Sequence, residues 1–310
     1  MSTASICLPD SSVGANSAYP DGCRSQEPKY SSESDYAPER TIMKSSPVIR
    51  TMLEHKSIRK YKDKMPSVEL VQTVVRAGQQ APFASQFYSV LLSRNRARHP
   101  FRAPLLFTIC VDVHKFELIM AKRKWKLVTN DLTLLLFGIE DALLVAENMV
   151  VAGESLGLGS CFLGSAMYNA ERIAEEYKLP KKVFPIVQLA MGYPDENPPP
   201  RPRYPTGFTL FEGRYPDLGD EEVMNAVRAM DEGYLGQDYY RRSKAKISLE
   251  SSRKETFDYE NYSWTEHICR KWGQWHPRAI DIQRQLVSRG FDVVGGGVKN
   301  RAGRRARKTR

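Results

Sequence analysis

Two cationic segments far apart in the chain have residue types and spacings that suit a phosphate group. Arg201 and Arg203 follow the proline run Pro198–Pro200, shortly after a Gly-Tyr-Pro sequence at 192–194. Proline fixes φ, so the two guanidiniums are presented on a stiff, extended arm. Guanidinium groups bind phosphate oxygens through paired hydrogen bonds. Taken alone, this segment is more typical of a solvated, proline-stiffened surface turn.

The second segment, residues 55–61, places a serine among cationic residues. Ser57 is preceded by His55 and Lys56 and followed by Arg59. A hydroxyl flanked by alternating cationic side chains can also hold a phosphate. We therefore expect the two segments to form one anion site.

Two shorter motifs lie between these segments. Residues 81–86 read Ala-Pro-Phe-Ala-Ser-Gln, and residues 157–164 read Gly-Leu-Gly-Ser-Cys-Phe-Leu-Gly. Glycine lets a ligand approach the backbone closely, although the second motif is also typical of an ordinary buried strand. Its glycines do not form a dinucleotide fingerprint, because their spacing is wrong and the motif follows a helix and precedes a strand.

The elements that position these motifs are predicted from apolar periodicity and capping signals. Strands and helices do not alternate strictly, which favours an α+β fold over a doubly wound sheet. The run 105–113 is almost continuously apolar and is expected at the centre of a sheet. Helices are predicted over 46–56, 68–80, 131–156, 170–178, 224–233 and 264–275, and strands over 87–94, 105–113, 160–165 and 183–191.

Two of these helices carry distinctive faces. The helix over 131–156 contains small residues that would let another helix approach closely, and we expect a homodimer contact there: Ala142, Ala146, Ala152 and Gly153. The helix over 264–275 carries an apolar stripe, which indicates either ordinary packing or an aromatic wall near a ligand: Trp264, Ile268, Trp272 and Trp275.

The positive charge is concentrated at the C-terminus. The 310 residues carry a net charge of +10, but residues 299–310 hold seven basic and no acidic residues, which leaves 39 basic against 36 acidic residues elsewhere. This tail is expected to be solvated, or alternatively to contact RNA, an acidic membrane or an import receptor. The predicted domains are a disordered tail over 1–44, a core over 45–205, a helical extension over 206–290 packed on the core or a partner, and a basic disordered tail over 291–310.

The five cysteines are scattered and lack metal-ligand spacing, so no metal site is predicted. Free thiols are typical of a reducing compartment, and a cytoplasmic location is expected. Cys161 has no cationic neighbour in the sequence and is interpreted as an apolar thiol. The most apolar run, 132–156, carries too many polar groups for a membrane span.

Taken together, the four motifs resemble the nitroreductase family of FMN-dependent oxidoreductases. The resemblance covers residues 46 to 205, and two departures are visible. His55 stands where the family usually has its first arginine, and Phe83 and Ala84 replace small hydroxyl residues. The matching stretches are, in chain order, residues 55–59, 81–86, 157–164 and 192–203.

The resemblance implies a function and an assembly. It implies an α+β fold with a central, mostly antiparallel sheet flanked by helices, in a domain-sharing homodimer. It also implies an FMN-dependent oxidoreductase that passes hydride from NAD(P)H to an electron-poor acceptor, such as a nitroaromatic, quinone or enone, by a ping-pong mechanism. Since the flavin carries the chemistry, no catalytic side chain is expected.

The resemblance also implies three groups of cofactor-binding residues. The phosphate would be held by His55, Lys56, Ser57, Arg59, Arg201 and Arg203. The flavin of the partner subunit would be contacted by Pro82, Phe83, Ala84 and Gln86. The ring would lie along Cys161, Phe162, Leu163 and Gly164, with a backbone N–H near the last two facing flavin N5.

Two alternatives remain open at the level of sequence. One is a reductive dehalogenase or a flavin-modifying enzyme of the same fold. The other is a non-catalytic, nucleic-acid-associated or scaffold protein with a decayed flavin site, which the departure at His55 and the basic tail would favour. The absorbance of a bound flavin would separate the second alternative from an enzyme.

Overall fold

The computed structural model describes residues 46–250, 253–274 and 279–293. The helices within these ranges are α1 (Pro47–Leu53), α2 (Val68–Gln79), α3 (His114–Lys122), α4 (Asp131–Ser155), α5 (Ala170–Tyr177), α6 (Asp220–Gly236), α7 (Tyr239–Ser243), α8 (Trp264–Gln274) and α9 (Ala279–Ser288). The strands are β1 (Tyr88–Ser93), β2 (Leu105–Asp112), β3 (Gly159–Leu163) and β4 (Val183–Gly192).

The four strands form one antiparallel sheet in the order β1-β2-β4-β3. Every residue of β2 is buried, which confirms the central position that its continuous apolar sequence predicts. Helices flank this sheet, so the α+β prediction is confirmed. Ser67 caps α2 as expected, because the N–H of Leu70 donates to its hydroxyl at 3.2 Å.

An extended arm, residues 55–62, lies along the edge of the sheet at β3. The N–H of Ile58 donates to the carbonyl of Ser160 at 2.8 Å, and the N–H of Lys62 donates to Tyr193 at 2.9 Å. These bonds explain why α1 ends at Leu53 rather than near residue 56, since the following backbone is committed to strand-like pairing. The same bonds hold the first cationic segment next to the chain that leaves β4.

Helix α4 packs its small residues against its own sheet, which corrects the expectation that they form a dimer contact. Ala142 and Ala146 are fully buried in the main core. A Cβ added at Gly153 would lie 3.0 Å from the side chain of Met191. The small residues therefore bring α4 close to β4 and the core of the same chain, and the exposed face of the helix is a different one.

The C-terminal segment also contributes to this core. Phe291 is fully buried beside Phe184, with ring centroids 6.3 Å apart. Arg289 donates to the carbonyls of Val183 and Leu179 at 3.2 and 2.7 Å. Packed structure thus continues past the boundary expected at residue 290. The expected tail over 1–44, residues 294–310 of the tail expected over 291–310, and Trp275 of the aromatic stripe lie outside the described residues.

Helices α6, α7 and α8 enclose a second, tyrosine-rich cluster. Trp264 stacks on Tyr234 at 6.4 Å between centroids and meets Tyr204 edge-on at 5.5 Å. Trp264 therefore serves packing, as the ordinary interpretation of the stripe expects, whereas Trp272 is 61% exposed. A search of the described helices for one long and apolar enough to cross a membrane finds none.

Candidate active site

The extended arm brings Ser57 and Arg59 to Cys161 on β3. Burial raises the pKa of the Cys161 thiol, while the Arg59 charge and a hydrogen bond with Ser57 act in the opposite direction. Cys161 has no cationic neighbour in the sequence, but the fold places Arg59 near it. The thiol nevertheless keeps a raised pKa, which agrees with its interpretation as an apolar group rather than a nucleophile.

Glu196 fixes the conformation of this arm. Its carboxylate accepts the backbone N–H groups of Arg59 and Lys60, the latter at 3.0 Å. The N–H of Asp195 in turn donates to the carbonyl of Lys60 at 2.9 Å. Glu196 was missed at the level of sequence, because its partners lie about 136 positions earlier in the chain.

Arg201 is held by the C-terminal end of α6. Its guanidinium donates to the side-chain oxygen of Gln237 at 2.8 Å and lies 4.0 Å from the ring centroid of Tyr239. Gln237 also donates to the carbonyl of Pro200 at 2.8 Å. The proline arm is therefore docked on the C-terminal extension. Gln237 and Tyr239 are two further positioning residues that sequence reasoning did not single out.

The charges of Arg59, Arg201 and Arg203 all act on the phenol of Tyr234. Burial raises the pKa of Tyr234, and the positive charges of all three arginines oppose that rise. Within the described ranges no carboxylate forms an ion pair with any of the three guanidiniums. The carboxylate of Glu196 binds the backbone of Arg59 and not its guanidinium. Three guanidiniums that form no ion pair are available to an anion.

His55 and Lys56 take different positions beside this cluster. His55 Nδ1 lies 2.8 Å from Glu154, and that hydrogen bond raises the pKa of His55 while the nearby Arg203 charge opposes the rise. Lys56 instead donates to Asn197 at 2.7 Å and lines a separate cavity of about 240 Å³. The charge of Arg203 thus affects the pKa of His55, whereas Lys56 faces a neighbouring cavity.

The end of β3 offers an open edge. Exposure increases along the strand, from buried Cys161 through half-buried Phe162 and Leu163 to exposed Gly164. A Cβ added at Gly164 would meet no atom within 4 Å. The backbone at this point can therefore be approached by a flat ligand.

The turn over residues 82–86 is exposed, and Phe83 is 55% exposed. Its backbone is anchored on α4 by the buried carboxylate of Asp141. The backbone N–H groups of Ala84, Ser85 and Phe87 thus bind α4. Asp141 is a further residue that sequence reasoning missed, since it was read only as a polar interruption of an apolar helix.

These features fit FMN, which has an anionic phosphate at one end and a flat ring at the other. The unneutralised guanidiniums suit the phosphate, and the open edge at Gly164 suits the ring. The Ser160 hydroxyl, beside Ser57, is also buried without a hydrogen-bond partner in the part of the chain that is described. A buried hydroxyl of this kind is unusual and is consistent with a polar ligand nearby.

Comparison with known proteins places the chain in a family. Residues 90–193 match the model of the nitroreductase family. An NADPH-dependent oxidoreductase of Staphylococcus aureus (strain MSSA476) is 30% identical over 264 residues, which cover 80% of this chain and 98% of the relative. The chain therefore belongs to the nitroreductase family of oxidoreductases. The match extends beyond residues 46–205, so the family resemblance includes part of the C-terminal extension.

Solved structures agree with this assignment. B. megaterium NfrA1 superposes with a TM-score of 0.67 at 27% identity, over 79% of this chain and 99% of that one. The hypothetical oxidoreductase YcnD of Bacillus subtilis gives 0.68 at 25% identity, over 80% and 99%. The NADPH:FMN oxidoreductase of Vibrio harveyi, complexed with NAD+, gives 0.60 at 23% identity over 79% and 98%, which supports the fold alone.

Proposed function

We propose that this protein is an FMN-dependent oxidoreductase that uses NAD(P)H to reduce an electron-poor acceptor, such as a nitroaromatic, quinone or enone, by a ping-pong mechanism. The observation that carries the proposal is that Arg59, Arg201 and Arg203, whose charges all act on Tyr234, form no ion pair within the described ranges. Arg59 and Arg203 are exposed, so both can reach a ligand. The phosphate of FMN would bind such guanidiniums through charge-assisted hydrogen bonds.

FMN, when bound, supplies hydride transfer. The chain supplies binding and orientation. Ser57 and His55 complete the phosphate site alongside the three arginines, and Glu196 keeps Arg59 in place. The backbone of Leu163 and Gly164 borders the ring and offers N–H groups to its edge.

The choice of NAD(P)H as reductant rests on relatives. The S. aureus relative is named an NADPH-dependent oxidoreductase, and the V. harveyi protein is named an NADPH:FMN oxidoreductase.

We further propose a homodimer formed through the exposed face of α4. Large apolar side chains on this face are between 41% and 53% exposed, namely Leu136, Phe137, Leu143 and Leu144. Exposed apolar side chains of this kind, here around the exposed Glu140, are typical of a protein interface. In such a dimer the turn over 82–86, anchored on the same helix, would contact the flavin of the other subunit.

Titration of the flavin-free protein tests the proposal. FMN and riboflavin share the ring, but only FMN carries a phosphate. We expect FMN to bind at least about a hundredfold more tightly, since each charge-assisted contact typically changes affinity about tenfold. Reduction of a model quinone by NAD(P)H should require FMN. A protein that binds neither flavin, or prefers FAD, would contradict the proposal and favour a decayed site.

A further inference from the structure

Asp141 lies in the middle of α4 with no solvent exposure. Both oxygens of its carboxylate accept hydrogen bonds from the backbone of one short segment, residues 84–87. Oδ1 accepts the N–H of Ala84 at 2.6 Å, while Oδ2 accepts those of Ser85 at 3.2 Å and Phe87 at 2.8 Å. A buried carboxylate requires such partners, because an unpaired buried charge is strongly unfavourable.

The turn that Asp141 holds has little else to define its shape. Residues 82–86 are all exposed, so side-chain packing contributes little to their conformation. Gln86 has a φ of 57°, in the left-handed region that residues other than glycine seldom adopt. The hydrogen bonds to Asp141 on either side of Gln86 compensate for this unfavourable backbone.

We infer that Asp141 is a positioning residue, which fixes the turn over 82–86 in the conformation that contacts FMN. The inference rests on the proposed function. Asp141 touches neither cofactor nor substrate, and it acts through the backbone of Ala84, Ser85 and Phe87. Since the exposed face of α4 is the proposed dimer contact, Asp141 also links that interface to the flavin site.

Loss of the hydrogen bonds to Asp141 would change the fraction of protein whose turn has the conformation that binds FMN. A ligand that binds one conformation has an apparent Kd equal to its intrinsic Kd divided by the fraction of protein in that conformation. Without the carboxylate, the turn would leave its strained conformation most of the time. The apparent Kd for FMN would therefore increase even if every direct contact with FMN remained available.

Asp141→Asn is the sharpest variant, because it keeps the shape of the side chain. An amide has one acceptor oxygen and one NH2 group. The NH2 group must face either the N–H of Ala84 or the pair from Ser85 and Phe87, so at least one hydrogen bond is replaced by two opposed donors. We expect the Kd for FMN to increase about tenfold or more, and the visible circular dichroism of the bound flavin to change.

Asp131→Asn is the matched control. Asp131 is also a largely buried aspartate of α4, and it accepts from Lys182 and from the N–H of Asp292 at 2.7 Å. Its loss should lower the unfolding midpoint without changing the Kd for FMN or the dichroism. A variant Asp141→Asn that behaves like this control would reduce Asp141 to a structural residue and overturn the inference.

Hydrogen exchange of the wild-type protein provides a test that needs no variant. The amides of Ala84 and Phe87 should be protected in the flavin-free protein, although Ala84 lies in an exposed turn. Exchange of both at the rate of a free amide would also overturn the inference. A wild type that binds no FMN would instead contradict the proposed function. The exchange rates would still show whether Asp141 holds the backbone of the turn.

Discussion

Arg203 is the clearest test of the phosphate site at the scale of single residues. It is exposed, and its hydrogen bonds are with the carbonyls of Arg201 and Pro202 at 3.0 and 3.1 Å. Arg203→Ala should therefore leave packing intact and weaken FMN binding about tenfold, through loss of one charge-assisted contact. Riboflavin affinity should not change, because riboflavin has no phosphate. Equal losses for both flavins in parallel titrations would contradict the assignment.

His55 gives a prediction about pH. The hydrogen bond to Glu154 raises the pKa of His55 in the folded protein, with a further contribution from the charge of Glu147. Such a group stabilises the fold fully below its unfolded pKa of about 6.5, and the stabilisation is lost as pH rises through the folded pKa. His55→Gln should thus lower the unfolding free energy at acidic pH, by on the order of 1 kcal/mol or less for a partly exposed pair.

Urea unfolding of both proteins across the pH range would measure this difference. The two curves should converge in alkaline solution, where His55 is neutral in both the folded and the unfolded state. A constant gap, or one that widens with increasing pH, would show that the pair with Glu154 does not stabilise the protonated form.

At the scale of elements, the two faces of α4 have different roles. Ala146 is fully buried in the core, whereas Leu143 is 41% exposed. Ala146→Leu should overpack the core and lower the unfolding free energy by about 1–3 kcal/mol. Leu143→Glu should leave the fold stable and disrupt the dimer, because a charge at an apolar contact is costly to desolvate. Light scattering that finds Leu143→Glu still dimeric would exclude this face as the contact.

The end of α6 controls Arg201 from outside the phosphate site. Gln237 fixes the guanidinium and the proline arm together. Gln237→Ala should weaken FMN binding a few-fold, because Arg201 then loses a partner worth about 0.5–1.5 kcal/mol. Gln274→Ala is a matched control, since the Gln274 side chain on α8 likewise accepts one hydrogen bond and donates another, but both are with backbone groups. Similar Kd values for FMN in both variants would remove Gln237 from the site.

At the scale of the whole molecule, the C-terminal segment completes the core. Phe291 has no exposure and contacts Phe184 of β4. Phe291→Ala should lower the unfolding free energy by about 3–5 kcal/mol, as for other large buried side chains. Truncation after Val298 removes residues with no apolar side chain beyond two alanines, and should leave stability and quinone reduction unchanged. Equal stability of Phe291→Ala and the wild type would contradict its place in the core.

The sequence predicted local structure better than long-range contacts. The central strand and the cap at Ser67 are encoded by adjacent residues, so both could be predicted and both are confirmed. The roles of Asp141 and Glu196 could not be predicted, because both residues accept hydrogen bonds from distant backbone N–H groups. The N–H of Ala84 lies 57 positions before Asp141, and that of Lys60 lies 136 positions before Glu196. The small residues of α4 were assigned to the wrong partner, since a pattern of small side chains shows close packing but not what is packed.

The cationic site was predicted only in part from the sequence. Its residues can be identified by type and by resemblance, and in the fold the charges of Arg59, Arg201 and Arg203 all act on Tyr234. Their binding of FMN stays a prediction. The sequence did not indicate the residues that position this site, because they are common polar or aromatic residues outside any motif. These residues are Glu196, Gln237 and Tyr239.

The way the turn over 82–86 is anchored has a consequence for protein engineering. Its shape depends on main-chain N–H groups held by Asp141, so the side chains of Phe83 and Ala84 can be exchanged while that shape persists. The resemblance implies small hydroxyl residues at these two positions, and the anchor would explain how the chain tolerates their replacement. A library randomised at these two positions should therefore change the affinity for FMN while the stability of the fold stays nearly constant.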